Sequence, residues 1–516
     1  MPYLLGIDVG TTAVKSAIFS DEGLLIDQAS AEYDTYYPYQ NAAEQAPDDW
    51  WQAVVLTIRE ILEKTRIQSS DIAAIAVSSQ GPTMLAVDRK GLPVHPALIW
   101  MDQRADDACA FLRETIGEEL IFHTTGNAIN SYYVLPELLW LKQKKPDLYA
   151  KTYKVLQANG YIVLKLTDQY TFDRSQAGLT LLYDIQTGQW AENLFASLEL
   201  PLDVFPPVSE CSAVIGEVTQ TAAKETELKA GTPVIAGMVD ATAAALEAGA
   251  IRDGTTCEMT GTSTVIMAAL THPITDARLT FFPHSVQDTF LLIGPMSSTG
   301  ASLKWFKNQL GLAEQNAAAL FGIDPYEVMN REVEKLADGP SGIIFLPYLA
   351  GERSPIWDNK ARGVFFGLSV DTTRAHLIKS LFEGTAFGLK HNLDVFTEGG
   401  MTVTEIRSVG GGAKSAVWNQ IKADVTNSPI LIPETAIGAP FGDIVLAGHG
   451  IGLFPDLVQT IRQFIKIRTI YEPRPQHVQG YQEMFAIYKD LYIHLQSDFA
   501  KLYDLKQGGI LCRDMC

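Results

Sequence analysis

The chain opens with three apolar runs that are separated by two short polar turns. The runs are Tyr3 to Ile7, Val14 to Phe19 and Leu24 to Ile26, and the turns are Gly10-Thr11-Thr12 and Asp21-Glu22-Gly23. Short apolar runs bounded by Gly, Asp and Thr are typical of strands joined by turns. The pattern therefore predicts an antiparallel meander of three strands at the start of the chain.

A helix and two more strands are predicted next. The segment DDWWQAVVLTIREILEKT has apolar residues at helical spacing as far as Leu62, and Asp48 is its predicted N-cap. DIAAIAVSSQ, from Asp71, has the pattern of a buried strand, and TMLAVD, from Thr83, predicts another. Strands that alternate with helices indicate an α/β domain.

The opening pattern returns near the middle of the chain. In TTCEMTGTSTVIMAAL, the residues Gly261 to Val265 align with Gly10 to Val14. Chance similarity of one short hairpin is the alternative, but a true repeat predicts two related α/β halves. We expect an N-terminal domain over residues 1–248 and a C-terminal domain over residues 249–516, and the helical spacing of residues 481–503 predicts that a C-terminal helix packs on the second half.

Composition narrows the class of protein. A length of 516 residues suggests about two to four domains, and no apolar run reaches membrane-spanning length. The N-terminus lacks the pattern of an export signal. The five cysteines are odd in number and form no CxxC pair, which argues against disulfides or a zinc site and favours a reducing cytoplasm.

The net charge of -20 bears on possible ligands. A surface this acidic repels nucleic acid and anionic membranes, so we expect neither as a partner. A phosphate ligand would have to be held locally, by backbone N–H groups, a lysine or a metal ion.

The first turn carries groups that suit phosphate. Asp8 precedes Gly10-Thr11-Thr12, and Lys15 follows in the next apolar run. A glycine lets backbone N–H groups come close to phosphate oxygens, threonine hydroxyls add donors, and Asp8 suits Mg²⁺, which prefers oxygen ligands. The alternative is an ordinary turn, because Asp, Gly and Thr are common turn residues. Neither GxxxxGK[ST] nor a GxGxxG after a strand is present.

Two more segments are candidates for a ligand site. Gly410-Gly411-Gly412 precedes a predicted helix, and a turn without side chains lets an adenine or a ribose pack against the backbone; a plain connecting loop is the alternative. Asp240 follows an apolar strand and has small neighbours through Ala245. An Asp at this place is most often an N-cap, but the small neighbours leave room for a ligand, so both possibilities stay open.

Four motifs together resemble those of the FGGY family of carbohydrate kinases. They are GIDVGTTAVK from Gly6, GTS from Gly261, GERSPIWDNKARGVFFGL from Gly351 and GGGAKS from Gly410, and the resemblance extends from Tyr3 to about residue 450. Within the family the likeness is greatest to xylulose kinases, with gluconate kinases next.

The resemblance implies an α/β fold of two actin-like ATPase domains, ribonuclease H-like, that flank a deep cleft. It also implies Mg²⁺-dependent transfer of the γ-phosphate of ATP to a sugar hydroxyl. The matched positions imply a catalytic base at Asp240, a Mg²⁺-linked acid at Asp8, and ATP contacts at Thr11, Thr12, Lys15, Gly261, Thr262, Ser263, Gly300, Gly411, Gly412 and Ala413.

The sequence departs from the family where the sugar is expected. Xylulose and gluconate kinases usually have Gln-Met-His where this chain has Gln80-Gly81-Pro82, and glycerol kinases have Arg-Glu at the last two positions. Glu137 stands where the family usually has Lys. Gln80 and Asp102 follow apolar strands and are expected, with Asp240, to bind sugar hydroxyls; polar residues at loop starts are the alternative.

The predicted function is an ATP-dependent kinase of a ketopentose such as D-xylulose. Kinases of gluconate or of a polyol are the alternatives within the family. A non-catalytic actin-like sugar sensor or assembly protein is the alternative of another class, because fold alone does not fix function. The sequence leaves the oligomeric state open, with a homodimer as one option.

Overall fold

The computed structural model describes residues 2–434 and 437–507. Its strands are β1 Tyr3–Val9, β2 Ala13–Ser20, β3 Leu25–Glu32, β4 Glu44–Gln45, β5 Ile72–Ser79, β6 Thr83–Val87, β7 Ala97–Ile99, β8 Lys154–Leu156, β9 Phe172–Asp173, β10 Tyr183–Asp184, β11 Gln189–Trp190, β12 Val208–Ser209, β13 Val214–Glu217, β14 Pro233–Ile235, β15 Met238–Val239, β16 Thr255–Thr260, β17 Thr264–Leu270, β18 Thr280–Pro283, β19 Phe290–Met296, β20 Ile344–Leu346, β21 Val364–Phe366, β22 Glu405–Gly410, β23 Ile430–Pro433 and β24 Ile467–Tyr471.

The helices alternate with these strands. They are α1 Pro47–Thr65, α2 Asp106–Thr115, α3 Glu118–Thr125, α4 Val134–Lys144, α5 Pro146–Tyr149, α6 Ala158–Thr167, α7 Arg174–Ala177, α8 Glu192–Ser197, α9 Gln220–Thr226, α10 Asp240–Ala248, α11 Gly300–Gln309, α12 Leu312–Phe321, α13 Pro325–Glu334, α14 Arg374–Glu398, α15 Ala416–Thr426, α16 Ala439–Gly450, α17 Leu457–Phe464 and α18 Pro475–Gln507. Short 3₁₀ turns occupy Ser69–Asp71, Leu202–Val204 and Gly411–Lys414.

The chain forms two compact units, and each is assembled from separate segments. The first unit contains residues 2–252, 269–292 and 437–466. The second unit contains residues 253–268, 293–434 and 467–507. The division of the sequence at residue 248 stays a prediction.

The central sheet of the first unit has the strand order β13-β14-β5-β1-β2-β3, and β15 pairs with the end of β5. β1 runs antiparallel to β2 and parallel to β5, and β2 runs antiparallel to β3. The predicted meander is therefore confirmed. Alternate residues of β1 face opposite sides, because side chains on a strand alternate. Leu5 and Ile7 pack with Trp50 of α1, whereas Leu4 packs with Ile444 of α16.

Helix α1 begins one residue before the predicted N-cap. Pro47 is its first residue and Ala46 is the cap residue, so the prediction of Asp48 as the N-cap is wrong. Proline suits the first helical position because its fixed φ is helical and its missing N–H has no partner there in any case. Asp48 lies in the first turn, where it accepts a hydrogen bond of 3.0 Å from the Tyr161 hydroxyl.

The second unit repeats the arrangement of the first. The part of its sheet from β19 onward has the order β19-β17-β16-β22-β23-β24. β16 runs antiparallel to β17 and parallel to β22, as β1 does with β2 and β5. The repeat that was predicted from the two hairpins therefore holds at the level of strand pairing, and both units are α/β.

The core of the second unit is rich in aromatic side chains. Phe382 of α14 stacks on Trp418 of α15, with ring centroids 5.4 Å apart. Tyr481, Phe485 and Tyr488 of α18 belong to the same core, which confirms the predicted C-terminal helix and its packing.

Two further sequence observations can be placed. Cys109 and Cys211 are buried thiols, whereas Cys512 and Cys516 lie outside the described residues. Among residues 2–434 and 437–507, no helix combines the length and the hydropathy that crossing a bilayer requires.

Candidate active site

The carboxyl ends of three parallel strands meet at one edge of the first unit's sheet. In the strand register Asp8 pairs with Ser78, and Val239 pairs with Ser79. Parallel strands end at the same edge of a sheet, so Asp8 at the end of β1 and Asp240 directly after β15 are brought to the same side of the molecule's first unit. The two acids singled out in the sequence thus belong to one site.

Asp240 is the first residue of α10, not its cap. The cap residue is Val239, whose own N–H donates to the Ser175 hydroxyl at 3.0 Å, and the described structure has no side-chain cap bond at this helix end. Burial and the neighbouring Asp8 charge raise the pKa of Asp240 from 3.8 to about 7, although a bond from the Ala241 N–H opposes the rise. The residue retains some solvent exposure. A carboxyl with this pKa is able to take up a proton near neutral pH.

Asp8 lies across the hairpin from Lys15. The two residues face each other in the β1–β2 register. Burial raises the pKa of Asp8 from 3.8 to about 6 in spite of the positive charge on Lys15. Asp8 Oδ1 is buried and has no hydrogen-bond partner among the described residues. This oxygen is therefore available for a ligand.

A third carboxyl, Asp443, joins Asp8 and Asp240. Helix α16 crosses β1 so closely that a Cβ at Gly6 would lie 2.5 Å from the Pro440 carbonyl oxygen and 3.0 Å from the Asp443 Cβ. The Ser78 hydroxyl donates to Asp443 Oδ2 at 2.8 Å. Burial, Asp8 and Asp240 together raise the pKa of Asp443 well above its usual range. Sequence reasoning missed this residue, whose only signal is a lone acid in an otherwise apolar helix.

The turn after β1 is fixed by side chains from elsewhere in the first unit. Trp100 Nε1 donates to Thr11 Oγ1 at 3.0 Å, and Gln45 Nε2 donates to the Thr11 carbonyl oxygen at 2.7 Å. Thr12 is exposed, and so is Lys15. The turn is thus held rigidly on one side, while its threonine and lysine remain accessible.

Gln80 is buried at the same sheet edge. Its Nε2 donates to Gln45 Oε1 at 2.7 Å, and its Oε1 has no partner among the described residues. A Cβ on the next residue, Gly81, would lie 2.4 Å from Gln176 Oε1 and 2.9 Å from the Val239 Cγ2. A larger side chain at this position would therefore displace Gln176 or Val239.

Asp102 is held inside the protein by an ion pair. Its Oδ2 accepts a hydrogen bond of 2.7 Å from the Ala43 N–H, and Arg104 Nε lies 2.9 and 3.0 Å from its two oxygens. Arg104 Nη1 also donates to Glu44 Oε1 at 2.7 Å. The geometry supports the alternative in which Asp102 orders a loop, and a sugar contact by Asp102 stays a prediction.

The predicted nucleotide residues of the second unit converge around the end of β16. The Ala301 N–H donates to the Thr262 carbonyl oxygen at 2.8 Å, and a Cβ on Gly300 would lie 2.1 Å from the Gly261 carbonyl oxygen. The Gly261 N–H donates to the Ser263 carbonyl oxygen at 2.8 Å. The second phosphate motif and the start of α11 therefore lie side by side.

The glycine cluster after β22 reaches the same place. Gly410 has a φ of 83°, and a Cβ there would lie 2.6 Å from the Thr260 carbonyl oxygen. A Cβ on Gly412 would lie 2.5 Å from the Thr260 Cγ2, and Gly411 is exposed. The Ala413 carbonyl oxygen accepts a bond of 2.9 Å from Asn419 Nδ2. Position 410 requires glycine because its φ is positive and its backbone lies close to that of Thr260.

A buried ion pair that sequence reasoning missed supports this turn. Glu258 and Lys422 are fully or almost fully buried and form an ion pair. Glu258 also accepts from the hydroxyls of Ser408 and Thr260. These bonds satisfy the buried carboxylate and fix β16, β22 and α15 relative to one another within the second unit.

The first unit offers oxygen ligands for a single metal ion. In the part of the chain that the structure describes, no group of three or more His, Cys, Asp or Glu side chains is placed to hold a metal. Mg²⁺ is usually held by one or two carboxylates together with substrate phosphates and waters. The unpartnered Oδ1 of Asp8 fits that mode of binding.

Comparisons with known proteins agree on one family. Models for the N-terminal and C-terminal domains of the FGGY family of carbohydrate kinases match residues 3–247 and 259–451. A xylulose kinase of Bacillus subtilis is 31% identical over 96% of this chain and 97% of its own length, and a gluconokinase of the same species is 27% identical over 98% and 99%. The solved structure of a xylulose kinase from Rhodospirillum rubrum matches with a TM-score of 0.89 and 27% identity, covering 96% of this chain and 100% of the other.

Proposed function

The chain belongs to the FGGY family of carbohydrate kinases, and from this membership we propose that it transfers the γ-phosphate of ATP to a hydroxyl group of a ketopentose such as D-xylulose. Members of the family are phosphotransferases with an alcohol group as acceptor, so the predicted enzyme class is confirmed. The predicted fold class is confirmed as well, because two sheet-rich units match FGGY kinase structures, which have the actin-like ATPase fold.

The observation that supports this mechanism most directly is the state of Asp240. In the proposal, Asp240 accepts the proton of the sugar hydroxyl as that hydroxyl attacks the phosphorus atom. Its pKa of about 7 suits a general base, because a base is most effective when its pKa lies near the working pH. Since Val239 and not Asp240 is the N-cap residue of α10, the Asp240 carboxyl is not committed to capping the helix.

In this proposal the β1–β2 hairpin binds the ATP phosphates and stabilises their negative charge. Lys15 and the N–H and hydroxyl groups of Thr11 and Thr12 bind phosphate oxygens, because phosphoryl transfer depends mainly on positioning and charge stabilisation. Asp8 would hold Mg²⁺ through its unpartnered oxygen, and the ion would neutralise phosphate charge there. In the second unit the proposed nucleotide contacts are Gly261, Thr262, Ser263, Gly300, Gly411, Gly412 and Ala413.

The identity of the sugar is the finer part of the proposal. The 31% identity to a xylulose kinase favours a ketopentose, whereas the 27% identity to a gluconokinase keeps a sugar acid as the second candidate. Gln80 directly follows β5 at the sheet edge that carries Asp240. It is proposed to bind a sugar hydroxyl, since its Oε1 lacks a partner among the described residues. The proposed partners are ATP and a small sugar, and nucleic acid is not among them. The proposed location is the cytoplasm.

A screen of sugar-dependent ADP release tests the proposal. D-xylulose, other ketoses, D-gluconate, glycerol and five-carbon polyols are compared at fixed MgATP, with Asp240→Asn as the control for background hydrolysis. We expect the highest kcat/KM with a ketopentose. If kcat/KM is highest with gluconate or glycerol, the assignment of the sugar is wrong. If no sugar stimulates ADP release, the non-catalytic sensor is favoured.

A further inference from the structure

The first unit contains a group of buried polar atoms that lack partners. Glu137 of α4 is fully buried, and neither of its carboxyl oxygens has a hydrogen-bond partner among the described residues. The same holds for one atom each of four other buried side chains, namely Gln80 Oε1, Thr83 Oγ1, Gln157 Nε2 and Gln176 Oε1. The large majority of buried side-chain polar atoms have a hydrogen-bond partner in the protein or an ordered water, so this group of exceptions indicates a place that binds polar groups from outside the chain.

Hydrogen bonds and packing link these side chains to the proposed active site. The Thr83 N–H donates to Gln157 Oε1 at 2.7 Å, and Gln176 Nε2 donates to the Ser79 hydroxyl at 3.0 Å. Helix α4, which carries Glu137, packs against β6, which begins at Thr83. Ser79 pairs with Val239, the residue before Asp240. The unpartnered atoms therefore belong to the elements that surround the sheet edge where Asp8 and Asp240 lie.

The charges around Glu137 disfavour an additional anion. Its electrostatic neighbours are Asp102 and Arg104, and the Arg104 guanidinium lies 4.9 Å from the ring centroid of Trp140, three residues after Glu137 on α4. Arg104 is already bound by two carboxylates, those of Asp102 and Glu44. The Glu44 carboxylate also has His95 Nε2 at 3.9 Å, which is charged only when protonated. With His95 neutral, two negative charges share the one positive charge of Arg104, and a substrate carboxylate would add to the excess.

The protonation state of Glu137 suits hydroxyl groups. Burial and the Asp102 charge raise the pKa of Glu137 well above its usual range, and Arg104 only partly opposes them. A protonated carboxyl offers one donor and further acceptor sites, so it bonds to hydroxyl groups in both senses. Gln157 adds a donor and Gln80 an acceptor. This mixture of neutral donors and acceptors matches a polyhydroxy compound.

We propose that Glu137 is a substrate-binding residue that makes this enzyme select uncharged polyhydroxy sugars over sugar acids, because its buried and unpartnered carboxyl lies beside an ion pair that already carries excess negative charge. The inference rests on the proposed kinase function and narrows its substrate class. Glu137, Gln157 and Gln80 bond to sugar hydroxyls, whereas a sugar carboxylate lacks a counter-charge at this position.

Two substitutions at Glu137 separate binding from structure. Glu137→Met fills a similar volume without polar atoms, so it should raise the Tm by removing unsatisfied buried atoms and yet raise the KM for D-xylulose about tenfold or more. Glu137→Gln keeps hydrogen bonding and is uncharged like the protonated carboxyl, so it should keep most activity with D-xylulose and most of the preference over D-gluconate. The KM for ATP should stay within about twofold of the parent's in both variants.

A matched control is available in the second unit. Glu383 is as deeply buried as Glu137, but it accepts hydrogen bonds from the N–H and hydroxyl of Ser341 and from the Tyr481 hydroxyl. Glu383→Gln should lower the Tm and leave the ratio of kcat/KM between D-xylulose and D-gluconate unchanged. It therefore reports the general cost of replacing a buried glutamate.

The outcomes distinguish this inference from the proposed function. A parent enzyme that prefers D-xylulose to D-gluconate by about a hundredfold or more, together with the expected variant effects, supports the role of Glu137. A parent that phosphorylates D-gluconate as well as D-xylulose, or variants that change the Tm without changing the sugar KM, overturns it and leaves the kinase function standing. Failure of every sugar to stimulate ADP release overturns both.

Discussion

Replacing Asp240 by Asn tests the proposed chemistry most directly. Asn has the size of Asp and can still accept a hydrogen bond from the Ala241 N–H, but it cannot accept the proton of an attacking hydroxyl. At pH 7.5 a carboxyl with a pKa of about 7 is ionised in about three-quarters of the molecules, so the parent enzyme has its base available. The substitution removes that base and leaves the shape of the site unchanged.

The Asp240→Asn substitution should lower kcat strongly without destabilising the fold. Removal of a positioned general base costs about 10²–10⁴-fold in kcat, which corresponds to about 2.7–5.4 kcal/mol of activation free energy. Burial and the Asp8 charge raise the pKa of Asp240 in the folded protein, so the folded state binds its proton more tightly than the unfolded state does. Stability from this group is therefore present below about pH 4 and is lost as the pH rises to about 7. The variant should keep or exceed the parental Tm at pH 7.5.

The assay combines kinetics, calorimetry and a pH profile. In the parent, kcat/KM should fall about tenfold per pH unit below about pH 7, because protonated Asp240 cannot act as a base. The variant should show a flat and much lower profile with nearly unchanged sugar affinity. Asp443→Asn is the matched control, since it replaces a second buried aspartate of the same cluster that has no proposed part in proton transfer. An Asp240→Asn protein with the parental Tm and more than about a tenth of the parental kcat would refute the reasoning.

Three other substitutions examine the rest of the first unit. Lys15→Ala removes the positive charge opposite Asp8, so the KM for ATP should rise about ten- to a hundredfold with sugar affinity unchanged by calorimetry; unchanged nucleotide affinity would make the hairpin an ordinary turn. Asp443→Asn removes a carboxyl whose raised pKa makes stability fall with rising pH, so its gain in Tm should be greater at about pH 8 than at about pH 5; an equal gain at both would contradict the cause. Gly81→Ala places a Cβ 2.4 Å from Gln176 Oε1 and should raise the KM for the sugar but not for ATP, which parental sugar kinetics would disprove.

Local sequence patterns were sufficient for much of the fold. The meander at the start, the repeat of its hairpin at Gly261 and the C-terminal helix all follow from spacing within short windows. The sequence places the cap of α1 two residues late, at Asp48 instead of Ala46, because Asp48 has the chemistry of a cap whereas Pro47 decides the backbone geometry. Helix α16 was beyond such reasoning, because its place against β1 depends on contacts between segments that lie far apart in the chain.

The same distinction applies to the site. Asp8 and Asp240 can be singled out in the sequence because each follows an apolar run, whereas the roles proposed for them rest on the resemblance to the family. Asp443 was missed because one acid in an apolar helix gives no periodic signal, and its relation to Ser78 exists only after folding. The ion pair of Asp102 with Arg104 was open to prediction, since two residues of opposite charge separated by one position after a strand are able to pair.

The carboxyl cluster of the first unit is difficult to explain by stability alone. Asp8, Asp240 and Asp443 each have a raised pKa because each is desolvated. The Asp8 charge adds to the rise at Asp240 and at Asp443, and the Asp240 charge adds to the rise at Asp443. Groups with raised acidic pKa values make the folded state less stable as the pH approaches neutrality. The cover that α10 and α16 give to this sheet edge is nevertheless what makes Asp240 basic enough to accept a proton. Proteins depart from favourable burial of charge mainly at functional sites, so the arrangement itself argues that this edge is maintained for chemistry.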